Sequence, residues 1–481
     1  MASLASVLAA LGICLVLVSS RRSTVAAGFA ILAAAEVLIA DANGSRLAHV
    51  TSKRLALAFV AVLVVVALAA LLVRRPELVA PLALVAAPFR LPLHFGGAHF
   101  ISIARGGALG RLLPLYLVLG AAGLALVWQL VRGSPLRPMP RGIAYPAAAF
   151  LAWSSLSVLW SDATGPARNL LQFFLVPFAV LVVVVAQSPF PKWMPRVLGM
   201  IVVALSTLFA VVGLVEEATH RLLFHSSAVE VGNAYSNFFR VTSLFRDPSL
   251  YGRQVVLGIA ILLVALWYRD AHVVLLGGLI AVLFAGLFFS YSQSSFVALF
   301  VVTIAVSFVA GDRTVRMIVA TAAVLALVAG GALVASKVAH TSTQRATSDR
   351  SRRVELTAKV FFHHPLIGVG VGSQPRASQA LSKEKGPYAF YVSHATPLTV
   401  AAELGAVGLA LYLALLGGTA VALRQVRRAA PAFGLGLGAV FLALLVHSIF
   451  YTGFFDDPFA WLVPAFAASF LGRPEPQAAA P

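Results

Sequence analysis

The chain has 481 residues, 60% of them hydrophobic and only 11% charged, with a mean hydropathy of +0.93. A soluble domain carries about a quarter charged residues, so these values exclude a soluble globular fold and imply an all-α, polytopic integral membrane protein. The formal charge of +19 would suggest nucleic acid in a soluble chain. Here it reads as basic cytoplasmic loops, with a surplus for lipid headgroups or an anionic ligand, and no nucleic-acid partner is expected. The single cysteine, Cys14, allows neither an intramolecular disulfide nor a thiolate metal cluster.

The first twenty residues are apolar, lack a basic leading segment and are followed by Arg21 and Arg22. They read as a first transmembrane helix, not a cleaved signal. About 20 apolar residues span a bilayer. By that window, spans are expected near 3–20, 24–40, 55–73, 77–90, 112–131, 144–160, 168–186, 195–215, 249–268, 272–290, 294–311, 315–336, 397–423, 432–451 and 456–472. The fourth is short and holds Pro81 and Pro88, so it is a re-entrant candidate. The stretch 272–311 is two helices only if Ser290–Ser295 breaks it. About twelve to fifteen spans follow.

Basic residues set the orientation. Arg21-Arg22, Arg74-Arg75, Arg132/Arg137/Arg141, Lys192/Arg196, Arg269, Arg313/Arg316 and Arg424/Arg427/Arg428 fall in alternate short connections, which should be cytoplasmic. The loops 161–167, 216–248, 290–295, 339–397 and 453–456 then lie outside. Five segments are expected: N-terminal helices over 1–143, central helices over 144–338 with an outer loop at 216–248, a large outer loop at 339–396, C-terminal helices over 397–472 and a short cytoplasmic tail at 473–481.

The large loop is the one long polar interruption. Arg345, Arg350, Arg352, Arg353, Lys359, Arg376, Lys383 and Lys385 outweigh Asp349, Glu355 and Glu384. Residues 350–362 are helical in character, with Val354, Ala358 and Phe361/Phe362 on one face, and should lie along the membrane surface. Pro365 and the glycines at 368, 370 and 372 end that helix. His394 closes the loop, and Glu403 follows inside the next span.

Taken in order, several stretches resemble the O-antigen ligase/polymerase family of bacterial membrane glycosyltransferases. Leu156-Ser-Val-Leu-Trp160-Ser-Asp162 is similar to its "lSxlWSxd" segment, and Arg240-Val-Thr-Ser-Leu-Phe-Arg-Asp-Pro248-Ser249-Leu-Tyr-Gly252 to "RxxgxfxnPNxxa". Ser290-Tyr-Ser292-Gln293-Ser294-Ser295 falls where the family has "TxSRgg". Arg350 through His364-Pro365-Leu366-Ile-Gly368-Val-Gly370 resembles "RxxxwxxaxxxixxxPlxGxG", and His394-Ala-Thr-Pro-Leu-Thr-Val-Ala-Ala-Glu403-Leu-Gly405 resembles "HNxxlxxxxexGxxG". Two positions depart. Gln293 stands where the family has arginine, and Ala395 where it has asparagine, so a cation and a hydrogen-bonding side chain must be dispensed with or supplied otherwise.

The resemblance implies an inner-membrane enzyme, its site on the outer face, that moves a glycan from an undecaprenyl-pyrophosphate carrier to an acceptor hydroxyl on a lipid or glycan. Transfer is expected to be inverting, with neither metal nor cofactor. Such chemistry needs a base for the acceptor and positive charge for the departing pyrophosphate. His394 suits the first role; alternatively it caps a helix at the interface. Arg240 and Arg350 match the family's arginines for the second, with Arg246 and Arg353 as nearby substitutes; each can instead meet membrane-lipid headgroups. Glu403 is a supporting residue that can orient a partner or pair with an arginine.

Other features have plainer readings. His363 and His364 read as interfacial, Asp456-Asp457 as a helix start, and Glu216-Glu217 with Trp153, Trp160 and Trp193 as interface features. A repeat-unit polymerase of the same family is the alternative function. A glycosyltransferase with an acidic base, for which Asp41 and Asp162 are the candidates, and a carrier flippase are more distant ones.

Overall fold

The computed structural model describes residues 1–42, 52–89, 112–223, 227–245, 247–268, 272–321, 323–325, 328, 350–382, 391–451 and 456–473. Among these the regular structure is helical, without strands, as the hydropathy requires. In chain order the helices are α1 (Ala2–Val18), α2 (Arg22–Ala42), α3 (Ser52–Arg74), α4 (Val79–Ala86), α5 (Leu113–Val131), α6 (Arg141–Leu156), α7 (Thr164–Gln187), α8 (Met194–Thr219) and α9 (Ser227–Ala234). They continue as α10 (Pro248–Tyr268), α11 (Val273–Phe288), α12 (Gln293–Ala310), α13 (Arg350–His363), α14 (Gln374–Leu381), α15 (Thr396–Ala429), α16 (Pro431–Phe450) and α17 (Pro458–Leu471).

Among the described residues nine helices are long and apolar enough to cross a membrane. A further pair is bent by 116° between Arg74 and Pro76. There Pro76 lacks an N–H and forces Arg75 out of helical geometry. The second arm of that pair, Pro76–Ala86, is the stretch expected to be re-entrant. Nine, or ten with the bent pair, is fewer among the described residues than the twelve to fifteen expected, because α1, α11 and α17 are apolar but shorter than a full span. Most of the expected span at 315–336 lies outside the described residues. The break foreseen between 272 and 311 is real: α11 ends at Phe288, and Ser292 caps α12 by accepting from the Ser295 N–H.

Between lipid-solvated helices apolar burial drives little, so close approach and interhelical hydrogen bonds hold the bundle. Gly12 of α1 and Gly28 of α2 permit one such approach: a Cβ at either would lie 2.8 Å from Leu32 or Val16. Ser6 ties α1 to α6 by donating to the Ser155 carbonyl at 2.5 Å. Ser206 of α8 does the same to Gln254 of α10 at 2.8 Å, opposite Gly258. The centre is α17, buried from Pro458 through Phe470, with α7, α15 and α16 against it.

One ion pair lies inside this core. Arg253 of α10 and Asp457 at the start of α17 are 5% and 1% exposed and in direct contact. Asp457 also accepts from the Phe459 N–H at 3.0 Å, so it does start a helix. The ion pair is an addition that spacing alone did not suggest.

The helix expected at 350–362 is α13. It buries Leu356, Thr357 and Val360 against α15, whereas Val354 and Phe362 are exposed beside Leu366 and Ile367. Its exposed apolar edge therefore includes two of the residues assigned to a membrane-facing side.

Candidate functional site

The site is built around a break in α15. Gly405 has φ 69° and ψ −169°, a conformation closed to residues with a side chain. The break releases backbone groups that an unbroken helix would pair internally. Each finds a replacement. The Ala402 and Glu403 carbonyls accept from the N–H groups of Val369 (3.0 Å) and Gly370 (2.8 Å), while the N–H groups of Ala406 and Val407 donate to Pro365 (2.8 Å) and Leu366 (3.3 Å). The Leu404 carbonyl accepts from the Trp153 indole N–H at 3.1 Å. Gly368 fits because a Cβ there would fall 2.3 Å from Glu403 carbon.

The glycine segment thus threads the break in the helix. On its other side it meets the 156–162 stretch. The Val371 N–H donates to Ser157 Oγ at 3.1 Å, the Ser161 hydroxyl to the Val371 carbonyl at 3.0 Å, and Arg376 to the Asp162 carbonyl at 2.7 Å. Glu403 is buried, and its carboxylate accepts from the N–H groups of Gly372 and Gln374, the latter at 3.1 Å. Its partners are loop amides, so it anchors the loop, and among the described residues no arginine pairs with it.

Gln374 connects this anchor to His394. Its side-chain NH2 donates toward Thr357 of α13 (3.0 Å), Ser378 of α14 (2.8 Å) and the Tyr391 carbonyl (2.9 Å). Its carbonyl accepts from the Ser393 N–H at 3.0 Å. Thr357 in turn donates to the Arg353 carbonyl at 2.7 Å. One buried amide therefore fixes the backbone beside His394 relative to the helix that carries Arg350 and Arg353. Arg353 and His394 meet directly, Nη1 against Nε2. A guanidinium only donates, so Nε2 accepts and the ring proton sits on Nδ1, which is buried and without a hydrogen-bond partner.

Arg240 comes from the loop after α9. Asn233 clips its backbone twice, accepting from the Arg240 N–H at 2.9 Å and donating to the Arg240 carbonyl at 3.1 Å. Arg240 Nε donates to the Ser290 carbonyl at 3.3 Å. Glu216, at the end of α8, is wholly buried and accepts from the N–H groups of Leu223 (2.8 Å), Thr242 (2.8 Å) and Ser243 (2.7 Å). The interface reading of Glu216 is therefore corrected: its carboxylate organises the Arg240 loop. Trp153 is corrected likewise, from aromatic belt to internal clasp.

Charge binds these pieces into one site. Burial lowers the Arg240 pKa, the Asp247 carboxylate opposes that, and Arg350 lowers it further. His394 is pushed down to about 4, first by burial, then by Arg353 and Arg350, with Asp247 acting the other way. Asp247 caps α10 by accepting from the Ser249 (2.7 Å) and Leu250 (3.2 Å) N–H groups, and also accepts from the Tyr451 hydroxyl. Arg240 thus interacts with Asp247 and Arg350, and His394 with Arg353, Arg350 and Asp247, so residues of two separate loops meet. Arg246 lies outside the described residues. Asp162 points to the surface, and His363 and His364 are exposed.

Residues 278–413 match the family model described as O-antigen ligase. Over that segment the chain is similar to the O-antigen ligase family. No curated protein matches it. The matched segment contains Arg350, Arg353, His394, Glu403 and the helix break, so most of the site lies within it, and Arg240 joins from outside. At Ala395 the backbone N–H donates to Ser393 Oγ at 3.2 Å. Gln293 is simply the first residue of α12.

The sequence reasoning missed Asp247, Tyr451, Gln374 and Asn233. Asp247 carried a signal, since an Asp before Pro248 and a helical run is a capping pattern. The others carried none, because their partners are distant in sequence.

Proposed function

We propose that this protein transfers a glycan from an undecaprenyl-pyrophosphate-linked donor to an acceptor hydroxyl at the outer face of the bacterial inner membrane. The observation that carries the proposal is the meeting of two loops: Arg240 of one interacts with Arg350 of the other, and Arg350 and Arg353 act on His394, which Arg353 touches. His394 is the base that takes the acceptor's proton. Arg240 and Arg350 hold the pyrophosphate and stabilise the charge that grows as it departs. Neither role calls for a metal or a cofactor. Asp247 and Tyr451 border the histidine and orient the acceptor side.

A base must be neutral before it can accept a proton, and a histidine held at about 4 is neutral under physiological conditions. The same depression makes it a weak base until negative charge arrives, and the donor brings that charge.

The test is complementation of a deletion strain together with transfer by the purified protein from a lipid-linked donor. His394→Ala should insert normally and transfer nothing. Transfer at the parent rate by that variant would sink the assignment. The deletion phenotype separates the two outcomes of the chemistry. Loss of all surface glycan attachment marks a ligase, and single repeat units in place of long chains mark a polymerase.

A further inference from the structure

We infer that Arg353 is a donor-operated mask on His394: in the resting protein its guanidinium covers Nε2, and the pyrophosphate of the donor draws it away to expose the base. The inference rests on the reading of His394 as the base, and it adds an order to the reaction.

Three observations carry it. First, the Nε2 lone pair is occupied by Arg353, while Nδ1 carries the proton and is buried without a hydrogen-bond partner. A resting His394 therefore offers no nitrogen to an acceptor hydroxyl. Second, the backbones on both sides of the contact are pinned. The Arg353 carbonyl is held by Thr357, and Thr357 and the Ser393 N–H are both held by Gln374. Unmasking must then be a side-chain movement, which an arginine with its long stem can make. Third, Arg350 and Arg353 stand three residues apart on α13 and so share a face. A pyrophosphate held by Arg350 lies within reach of Arg353, and an ionised phosphate oxygen is a stronger partner for a guanidinium than a neutral imidazole.

The groups facing His394 support this order. Arg350 and Arg353 come from α13, Asp247 from the start of α10 and Tyr451 from the end of α16. Protonating the ring beside two guanidinium groups is unfavourable until the donor's negative charge offsets them. With the donor in place, the acceptor O–H gives its proton to Nε2. The oxygen attacks the anomeric carbon, and the bond from that carbon to the pyrophosphate oxygen breaks. The pair of electrons leaves with undecaprenyl pyrophosphate, and the imidazolium later returns its proton to water. An acceptor reaching the empty enzyme meets no free base.

Diethyl pyrocarbonate, which acylates an uncovered neutral imidazole, reads the mask directly. The full-length protein in detergent would be treated with and without inorganic pyrophosphate, and acylation of the His394 peptide followed by mass spectrometry. Pyrophosphate should speed acylation of His394 about tenfold, equivalent to about 1.4 kcal/mol of masking, whereas chloride at equal ionic strength should not. In Arg353→Gln the rate should be high from the start and indifferent to pyrophosphate, with exposed His363 as the internal control for reagent and a parent-like thermal transition as the control for folding.

A second readout needs no variant: the acid limb of kcat, which reports the donor complex, should lie at higher pH than that of kcat/KM for the donor. Protection of His394 by pyrophosphate, equal acceleration by chloride, a slow rate in Arg353→Gln, or coincident acid limbs would each overturn the mask. Acylation reports Nε2 whether or not transfer occurs, so a failure here is separable from the failure of His394 as base, which His394→Ala decides.

Discussion

The indole N–H of Trp153 donates to the carbonyl of Leu404, the residue before the break in α15, at 3.1 Å. Without Gly405 in its unusual conformation that carbonyl would be satisfied inside the helix, and the tryptophan would have no partner there. The glycine segment enters the same break, so the helix and the loop that carries the site fold as one unit.

Gly405→Ala should be the most damaging small substitution in the protein. The new Cβ would sit 2.1 Å from the Leu366 carbonyl oxygen, in a backbone region that costs a non-glycine residue about 1–3 kcal/mol before any overlap. Loss of folded yield and activity is expected, measured by thermal denaturation in detergent. Trp153→Phe should cost less, about 1–3 kcal/mol for one orphaned carbonyl.

Glu216→Gln should weaken the donor site from a distance. The carboxylate serves three backbone N–H groups, and an amide leaves one oxygen for them. An unsatisfied buried N–H costs about 1–3 kcal/mol, and the loosened segment carries Arg240. The donor KM should rise more than kcat falls, and steady-state kinetics on the purified variant would show it.

Arg240→Lys should reduce transfer at least tenfold, roughly the 1.4 kcal/mol or more expected from losing paired guanidinium donors. Lysine keeps the charge but has no Nε–H to hold against the Ser290 carbonyl. Equal turnover of both forms would mean that Arg240 meets only lipid headgroups.

The acid limb of kcat/KM should lie near pH 4, because His394 is held there. The sign follows from the direction of the shift. A histidine whose folded pKa lies below its ordinary 6.5 favours folding in its neutral form. That contribution is fully present above about pH 6.5. It is lost as pH falls from 6.5 through 4, so stability should begin to decline below about pH 6.5 while activity is lost only near pH 4. Arg353→Gln removes one of the depressing charges and should move the limb upward.

The buried pair Arg253 and Asp457 makes a prediction about stability. Arg253→Met alone should cost about 3–5 kcal/mol, since it strands a carboxylate in the core. Combining it with Asp457→Asn, which keeps an oxygen for the Phe459 N–H, should recover much of that loss. A double-mutant cycle on thermal denaturation measures the coupling.

Composition and hydropathy alone determined the class of fold and most of the long apolar helices, because a bilayer demands long apolar segments and every such segment is local; the helix α13 was likewise legible from its local pattern. The break at Ser290–Ser295 and the helix start at Asp457 were legible for the same reason, since each is caused by residues next to it. Ordered motifs also brought Arg240, Arg350 and His394 forward as candidates. Tertiary structure alone decided that Glu403 and Glu216 hold backbone amides, that Trp153 faces inward and that Arg353 touches His394. Those partners are supplied by segments far apart in the chain, and no local pattern encodes a contact between them.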